Sequence, residues 1–172
     1  MPLVLGIDPG SRITGFGLID VEGNRLSFVE CGCIRTEKGS LPLRLQKIFN
    51  QLSHLVETHQ PSQAAIEQVF VGRNSASALK LGQARGAAIV ACLKSNLEVS
   101  EYSARQVKLA VVGTGAARKG QVQHMVKALL GISDTLAEDA ADALAVAICH
   151  TNTRKSLDNL AGAKSFSRRR LR

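Results

Sequence analysis

The stretch Leu3-Val4-Leu5-Gly6-Ile7-Asp8-Pro9-Gly10-Ser11 is an almost unbroken apolar run that ends in an acid, a proline and a glycine. A continuous run of this length, bounded by Pro-Gly, predicts a central strand buried on both faces. A half-exposed strand would alternate apolar with polar residues. Asp8 then stands at the strand's end, partly desolvated, where an ionised carboxylate needs a cation or strong donors. Capping of the Asp-Pro-Gly turn is the competing role for it.

Outward from this strand, Ile13 to Asp20 and Leu26 to Thr36 read as two further strands joined through residues 21–25 as a hairpin. Three antiparallel strands therefore open the fold. Ser40 and Pro42 announce a helix whose apolar positions Leu45, Ile48, Phe49, Leu52, Leu55 and Val56 form one stripe that ends before Gln60-Pro61. Ala64-Ala65-Ile66 gives a short strand that delivers a second acid, Glu67, followed by Phe70 and the polar loop Gly72-Arg73-Asn74-Ser75. A Phe on such a loop can stack on an unpaired base or sink into the core. Arg73 and Asn74 beside it are candidate DNA contacts.

Ala76 to Leu93 reads as an Ala/Gly/Leu-rich helix with Gly82 and Gly86 one turn apart on the same face. Each glycine costs about 1 kcal/mol of helix propensity, so close approach of another backbone is the expected compensation. That backbone can belong to the sheet of the same domain or to a second subunit. Leu97 to Tyr102 is a short strand, and Ser103 with Gln106 forms a capping box that opens the helix carrying Lys108. After Val112-Gly113-Thr114-Gly115, Arg118 and Lys119 start another helix with Val122, Met125, Val126, Leu129 and Leu130 on its apolar stripe, closed by Gly131.

The third acidic locus is Thr135-Leu136-Ala137-Glu138-Asp139-Ala140-Ala141-Asp142-Ala143-Leu144. Thr135 and Glu138 have capping-box spacing, which gives Glu138 a structural task and leaves Asp139 and Asp142 over. Their i,i+3 spacing puts like charges on one helix face, about 5–6 Å apart at Cβ, where they repel. A metal ion would compensate them; two solvated acids favoured by the helix dipole are the alternative. Leu136, Ala140, Leu144, Ala147 and Ile148 mark the face turned to the sheet, so the aspartates lie at its border. Two strand-end acids plus an Asp-x-x-Asp form a set of hard oxygen ligands suited to Mg²⁺ or Mn²⁺ without Cys or His. Two such ions about 4 Å apart activate a water and stabilise the leaving oxygen of a phosphodiester.

Composition limits the other classes. At 172 residues and 45% hydrophobic, the chain suits one domain with a single core. The charge of +8 is concentrated at the carboxyl end: residues 151–172 hold seven of the 22 Lys/Arg and one of the 14 acids, leaving 15 basic against 13 acidic before them. A folded domain over 1–152 and a flexible basic tail over 153–172 are expected. Cys31, Cys33, Cys92 and Cys149 form no C-x-x-C pair, which argues against a zinc site or disulfide framework. Cys31 and Cys33, on one face of a strand, read as buried reduced thiols of a cytoplasmic protein. The four histidines fall on helical patterns and suit packing or solvated roles. The amino terminus lacks a basic n-region, and no 18-residue apolar run follows, so neither a secretion signal nor a membrane span is expected.

The blocks GIDPGSRITGFGLI, AIEQVFVGRNSASALKLGQARGAAI, YSARQVKLAVVGTGAARKGQVQHMV and EDAADALAVAICH resemble the RuvC family of Holliday junction resolvases over residues 3–150. The resemblance implies a ribonuclease H-like α/β fold: a mixed five-stranded sheet, first three strands antiparallel, flanked by helices. It also implies a homodimer that nicks two symmetric strands of a four-way DNA junction, working with a branch-migration motor of the RuvA/RuvB type. By position, the family's acidic quartet falls on Asp8, Glu67, Asp139 and Asp142, its junction-facing aromatic on Phe70, and its basic active-site residues on Lys108 and Lys119. Arg118, beside Lys119, joins the expected DNA contacts. Lysines near the acids can neutralise the phosphate and its developing charge. The chain departs from the family pattern at Gly120, where a polar or acidic residue is usual, and in its arginine-rich tail.

Two other classes compete. Gly-Ile-Asp-Pro-Gly-Ser also looks like the first phosphate loop of sugar kinase and actin-like ATPases, but these need a second domain and a second glycine-rich loop that 172 residues do not supply. A non-catalytic nucleic-acid-binding module explains the charge and leaves four carboxylates on a polyanion-binding face unexplained.

Overall fold

The computed structural model describes residues 2–36, 38–69 and 75–169, with side chains described through Asp158. The five-stranded sheet has the order β3-β2-β1-β4-β5. Its strands are β1 (Leu3–Asp8), β2 (Ile13–Glu22), β3 (Arg25–Arg35), β4 (Gln63–Glu67) and β5 (Val99–Tyr102). The hairpins β1/β2 and β2/β3 are antiparallel, and β4 and β5 then add in parallel on the other side of β1. The opening strand is therefore the central one, as its unbroken apolar run predicts.

Helices α1 (Leu41–His59) and α2 (Ser75–Leu93) cover one face of the sheet; α3 (Ala104–Val112), α4 (Lys119–Leu130) and α5 (Glu138–Arg169) cover the other. The pleat of β1 divides its side chains between the two layers. Leu5 and Ile7 join Ile48, Leu52, Ala84 and Ala88 beneath α1 and α2, while Val4 joins Leu144, Val146 and Ile148 beneath α5. With period-2 alternation, Gly6 and Asp8 share the α5 face with Val4. The same parity in β4 puts Ala65 and Glu67 on that face and Ala64 and Ile66 on the other.

The ends of the helices follow their local chemistry. Ser103 accepts from the Gln106 N–H, and the Gln106 side chain accepts from the Ser103 N–H, which completes the expected capping box. Gly113 and Gly131 close α3 and α4 in left-handed conformation, at φ 82° and 65°. The box expected at Thr135 and Glu138 is not formed. Helix α5 starts at Glu138 itself, and the first helical bond runs from the Ala141 N–H to the Ala137 carbonyl. Glu138 is therefore the first helical residue, two positions too early to fold back on a cap, and its carboxylate is spent elsewhere.

Helix α5 remains helical through Arg169, past the expected boundary at 152. Between Ala140 and Thr151 every residue except Asp142 is buried. His150 is buried between the Tyr102 hydroxyl, 3.0 Å from Nδ1, and the Gln63 side-chain amide oxygen Oε1, 3.0 Å from Nε2, which is a packing role. Cys31 and Cys33 are half-buried, not fully buried as expected, because β3 is the sheet's edge strand; all four cysteines are free thiols. Among the described residues no helix is long and apolar enough to cross a membrane.

Candidate active site

Parallel strands β1 and β4 end side by side, so Asp8 and Glu67 leave the sheet at the same edge and on the same face. Helix α5 brings Asp139 and Asp142 to that edge in its first two turns. Three glycines let it come so close. A Cβ at Gly15 would lie 2.0 Å from the Asp139 carbonyl oxygen, and one at Gly6 would lie 2.0 Å from that of Ala143. One at Gly17 would strike Leu144 at 2.7 Å. Gly6 pairs with Gly17, and Asp8 with Gly15, so the bare patch lies directly beside the first acid. Any side chain at Gly15 would lift Asp139 away from Asp8. The signal for this was the Gly-x-Gly of Thr14-Gly15-Phe16-Gly17, whose period of two puts both glycines on one strand face.

The acids raise one another's pKa. Burial, then the charges of Glu67, Asp142 and Asp139, push the Asp8 carboxyl up to about 8, with Lys119 opposing. Glu67 is raised by burial and by Asp142, against Lys119 and Lys108. Asp142 is raised too: burial and its acidic neighbours outweigh its ion pair with Lys119. This is an edge of the fold with excess negative charge and too little positive charge to balance it.

A cleft of about 190 Å³ opens against these acids, lined by Glu67, Asp142, Lys108, Lys119 and the apolar Val107 and Val122. Lys108 comes from α3 and Lys119 from the first turn of α4, so the two expected lysines meet on one side of the acids. Lys119 Nζ is 2.9 Å from Asp142 Oδ2 and also pairs with Glu138. Partial burial works against the Lys119 charge, but these two carboxylates hold its pKa above the ordinary lysine value. Arg118 is exposed at the N-cap of α4. Glu138 is a residue of this site that sequence reasoning assigned to capping. Phe70, Arg73 and Asn74 lie outside the described residues.

The four acids are hard oxygen donors, the set suited to Mg²⁺ or Mn²⁺. The Cys33 thiol, on β3 beside Gly15, is close enough to feel Asp139 and Asp8, and burial with their charges raises its pKa, so it stands there as a neutral thiol. Among the described residues, no three Asp, Glu, His or Cys side chains are close enough to hold one ion as they stand. The ammonium of Lys119 is the cation that Asp142 has instead.

The Asp8 shift has a consequence for stability. Its carboxyl has a folded pKa of about 8 against 3.8 when exposed, so between those values the native state keeps a proton that the unfolded state has lost. Without divalent ions, stability then falls as pH rises from about 4 to 8, and Glu67 and Asp142 add in the same direction. Thermal melts in chelator across this window are expected to show that slope, and Asp8→Asn is expected to flatten it. A slope unchanged in the variant would remove Asp8 as its source.

The comparisons with known proteins agree with one another. The family model of the crossover junction endodeoxyribonuclease RuvC matches residues 4–150. The chain belongs to the RuvC family. It is 54% identical over 170 residues to the crossover junction endodeoxyribonuclease RuvC of Francisella philomiragia, covering 99% of each chain. The Thermus thermophilus RuvC in complex with a Holliday junction substrate superposes with a TM-score of 0.86 at 30% identity, over 91% of this chain and 96% of that one. The yeast mitochondrial Holliday junction resolvase, at 14% identity and a TM-score of 0.65, covers 95% of this chain and 85% of its own, and shares the fold. The architecture is thus ribonuclease H-like, as in other RuvC proteins, and membership of this family decides against the ATPase reading of the Gly-Ile-Asp-Pro-Gly turn.

Proposed function

We propose that this chain is a structure-selective endonuclease that resolves four-way DNA junctions by paired symmetric nicks, in recombination and DNA repair in the cytoplasm. The observation that carries this reading is the convergence, in a RuvC-family chain, of strand-end and helix-borne acids with Lys108 and Lys119 around one cleft. The nuclease domain is assigned to residues 1–152 and the basic tail to 153–172. Nicking of a synthetic four-way junction in Mg²⁺ without any nucleotide, with a linear duplex of the same sequence left intact, is the expected result. Cutting that requires ATP, or none in Mg²⁺ or Mn²⁺, would overturn it.

Asp8, Glu67, Asp139 and Asp142 would hold the metal, proposed as two Mg²⁺ ions with Mn²⁺ able to replace them. Bound there, they supply activation of the attacking water and charge for the leaving oxygen. The uncompensated charge around Asp8 and the all-oxygen donor set support this choice. The chain's own contribution is placement. Asp8 and Glu67 are fixed by neighbouring strands, and Asp139 and Asp142 by a helix seated on glycines, so little reorganisation accompanies the reaction. Lys108 and Lys119 meet the scissile phosphate from the other wall of the cleft and balance the charge that grows on its oxygens. Phe70, Arg73, Asn74 and Arg118 contact the junction around that point, with Phe70 stacking on an unpaired base.

A four-way junction has approximate two-fold symmetry, so paired nicks call for an isologous dimer carrying two such sites. Helix α2 supports this. Leu79, Gly82, Gly86, Val90 and Leu93 follow one another at spacings of 3, 4, 4 and 3 along one stripe. Leu79, Val90 and Leu93 are 70%, 55% and 53% exposed. A Cβ at either glycine would meet nothing within 4 Å among the described residues, so the sheet of the same domain does not use them. Gly86→Leu is therefore expected to leave the monomer folded, to weaken self-association by roughly 1–3 kcal/mol through overpacking, and to turn paired nicks into single ones. Sedimentation at micromolar concentration checks it, and a dimer untouched by the change would place the interface elsewhere. Cooperation with a branch-migration motor of the RuvA/RuvB type completes the reading.

A further inference from the structure

Lys119 occupies an unfavourable position for a cation. It is the first residue of α4, at the positive end of the helix dipole, and the first turn of α4 contains no acid. Its ammonium is held from another element, by Glu138 and Asp142, which stand i,i+4 on α5 and would repel each other without it. The two carboxylates are not equivalent. The Asp142 side chain is 20% exposed and lines the cleft, whereas Glu138 is 59% exposed and does not. Lys119 therefore bridges an inner acid, which is needed as a ligand, to an outer acid, which is not.

We propose that Glu138 is a positioning residue for Lys119: it holds the ammonium at the mouth of the cleft when Asp142 turns to metal, so that Lys119 faces the scissile phosphate and does not compete for Asp142. The inference rests on the proposed roles of Asp142 as a ligand and Lys119 as a phosphate contact. With Glu138 present, loading of Asp142 costs Lys119 one of its two bonds. Without it, Lys119 has Asp142 alone among the described residues, and every cation bound there must displace it. Loss of Glu138 also frees the lysine to swing, so the cost falls on the rate and not on junction affinity. Affinity is expected to rise slightly, since one negative charge leaves the DNA-facing side.

The test is a cycle of wild type, Glu138→Gln, Lys119→Ala and the double variant, with Mn²⁺ affinity of the free protein measured by calorimetry. Single-turnover cleavage in saturating Mg²⁺ and junction affinity in chelator are read alongside. Glu138→Gln is expected to weaken Mn²⁺ binding about fivefold and to slow cleavage about tenfold, with junction affinity equal or up to threefold higher. In the Lys119→Ala background the same change is expected to alter Mn²⁺ binding and rate less than twofold. Glu138→Asp, which keeps the charge, is expected to restore most of the rate. Equal losses in both backgrounds would mean that Glu138 acts by through-space charge alone, and would overturn the proposal while leaving the nuclease reading intact. A Lys119→Ala variant that cuts at the wild-type rate would overturn the proposal together with the phosphate role of Lys119, the nuclease reading again standing.

Discussion

Asp8→Asn is expected to leave a folded protein that binds four-way junctions and cuts them at least about 10³-fold more slowly than wild type, a loss of about 4 kcal/mol or more of transition-state stabilisation. Asn is nearly isosteric with Asp, so the β1 and β4 ends keep their places. What is lost is the carboxylate at the centre of the acidic group, the one on which burial, Glu67, Asp142 and Asp139 all act. For the same reason the metal-free fold gains stability at neutral pH and above, where the wild-type site approaches full charge. Junction affinity in chelator should be equal or higher, because a negative charge has left a surface that meets phosphate. Single-turnover cleavage in Mg²⁺ measures the first effect. A rate within a few-fold of wild type would show that the acidic edge does not do the chemistry.

The second large effect is expected at the lysines. Lys119→Ala is expected to lower the single-turnover rate about 10²-fold while changing junction affinity less than about fivefold, and Lys108→Ala to act in the same direction. Both lysines line the cleft with Glu67 and Asp142, so in the proposed reaction each would face the point where charge develops. In the resting protein Lys119 is already paired with carboxylates, so a ground-state phosphate must compete for it. The transition state, with more negative charge on the phosphoryl oxygens, competes better, and the contact therefore counts more in the rate than in binding. Equilibrium titration beside single-turnover kinetics separates the two. A loss confined to affinity, with a salt dependence shallower by about one phosphate contact, would make these lysines ordinary backbone contacts.

The strands and caps of this fold were legible because their causes are local. The run Leu3–Ile7 carries its own burial signal, and Ser103 with Gln106 carries its own cap. The acids were legible as residues that end elements, although their meeting depends on a sheet order that only the parallel addition of β4 beside β1 provides. What was not legible acts across the chain. Gly15 looked like one more strand residue, yet it is bare because a helix more than 120 positions later rests its Asp139 carbonyl there. Glu138 had the right spacing from Thr135 for a capping box, and that local pattern lost to an ion pair with a lysine on α4. The open stripe of α2 could not be told from an internal contact until the neighbours of Gly82 and Gly86 were known.

The most direct test of the central claim is the position of the cuts. A four-way junction labelled on each strand in turn, with Mg²⁺ and no nucleotide, is expected to give nicks at symmetry-related positions in two opposing strands. DNA ligase should then reseal the products into two intact duplexes. Nicks at unrelated positions, products that ligase cannot rejoin, or equal cutting of a linear duplex would contradict the account.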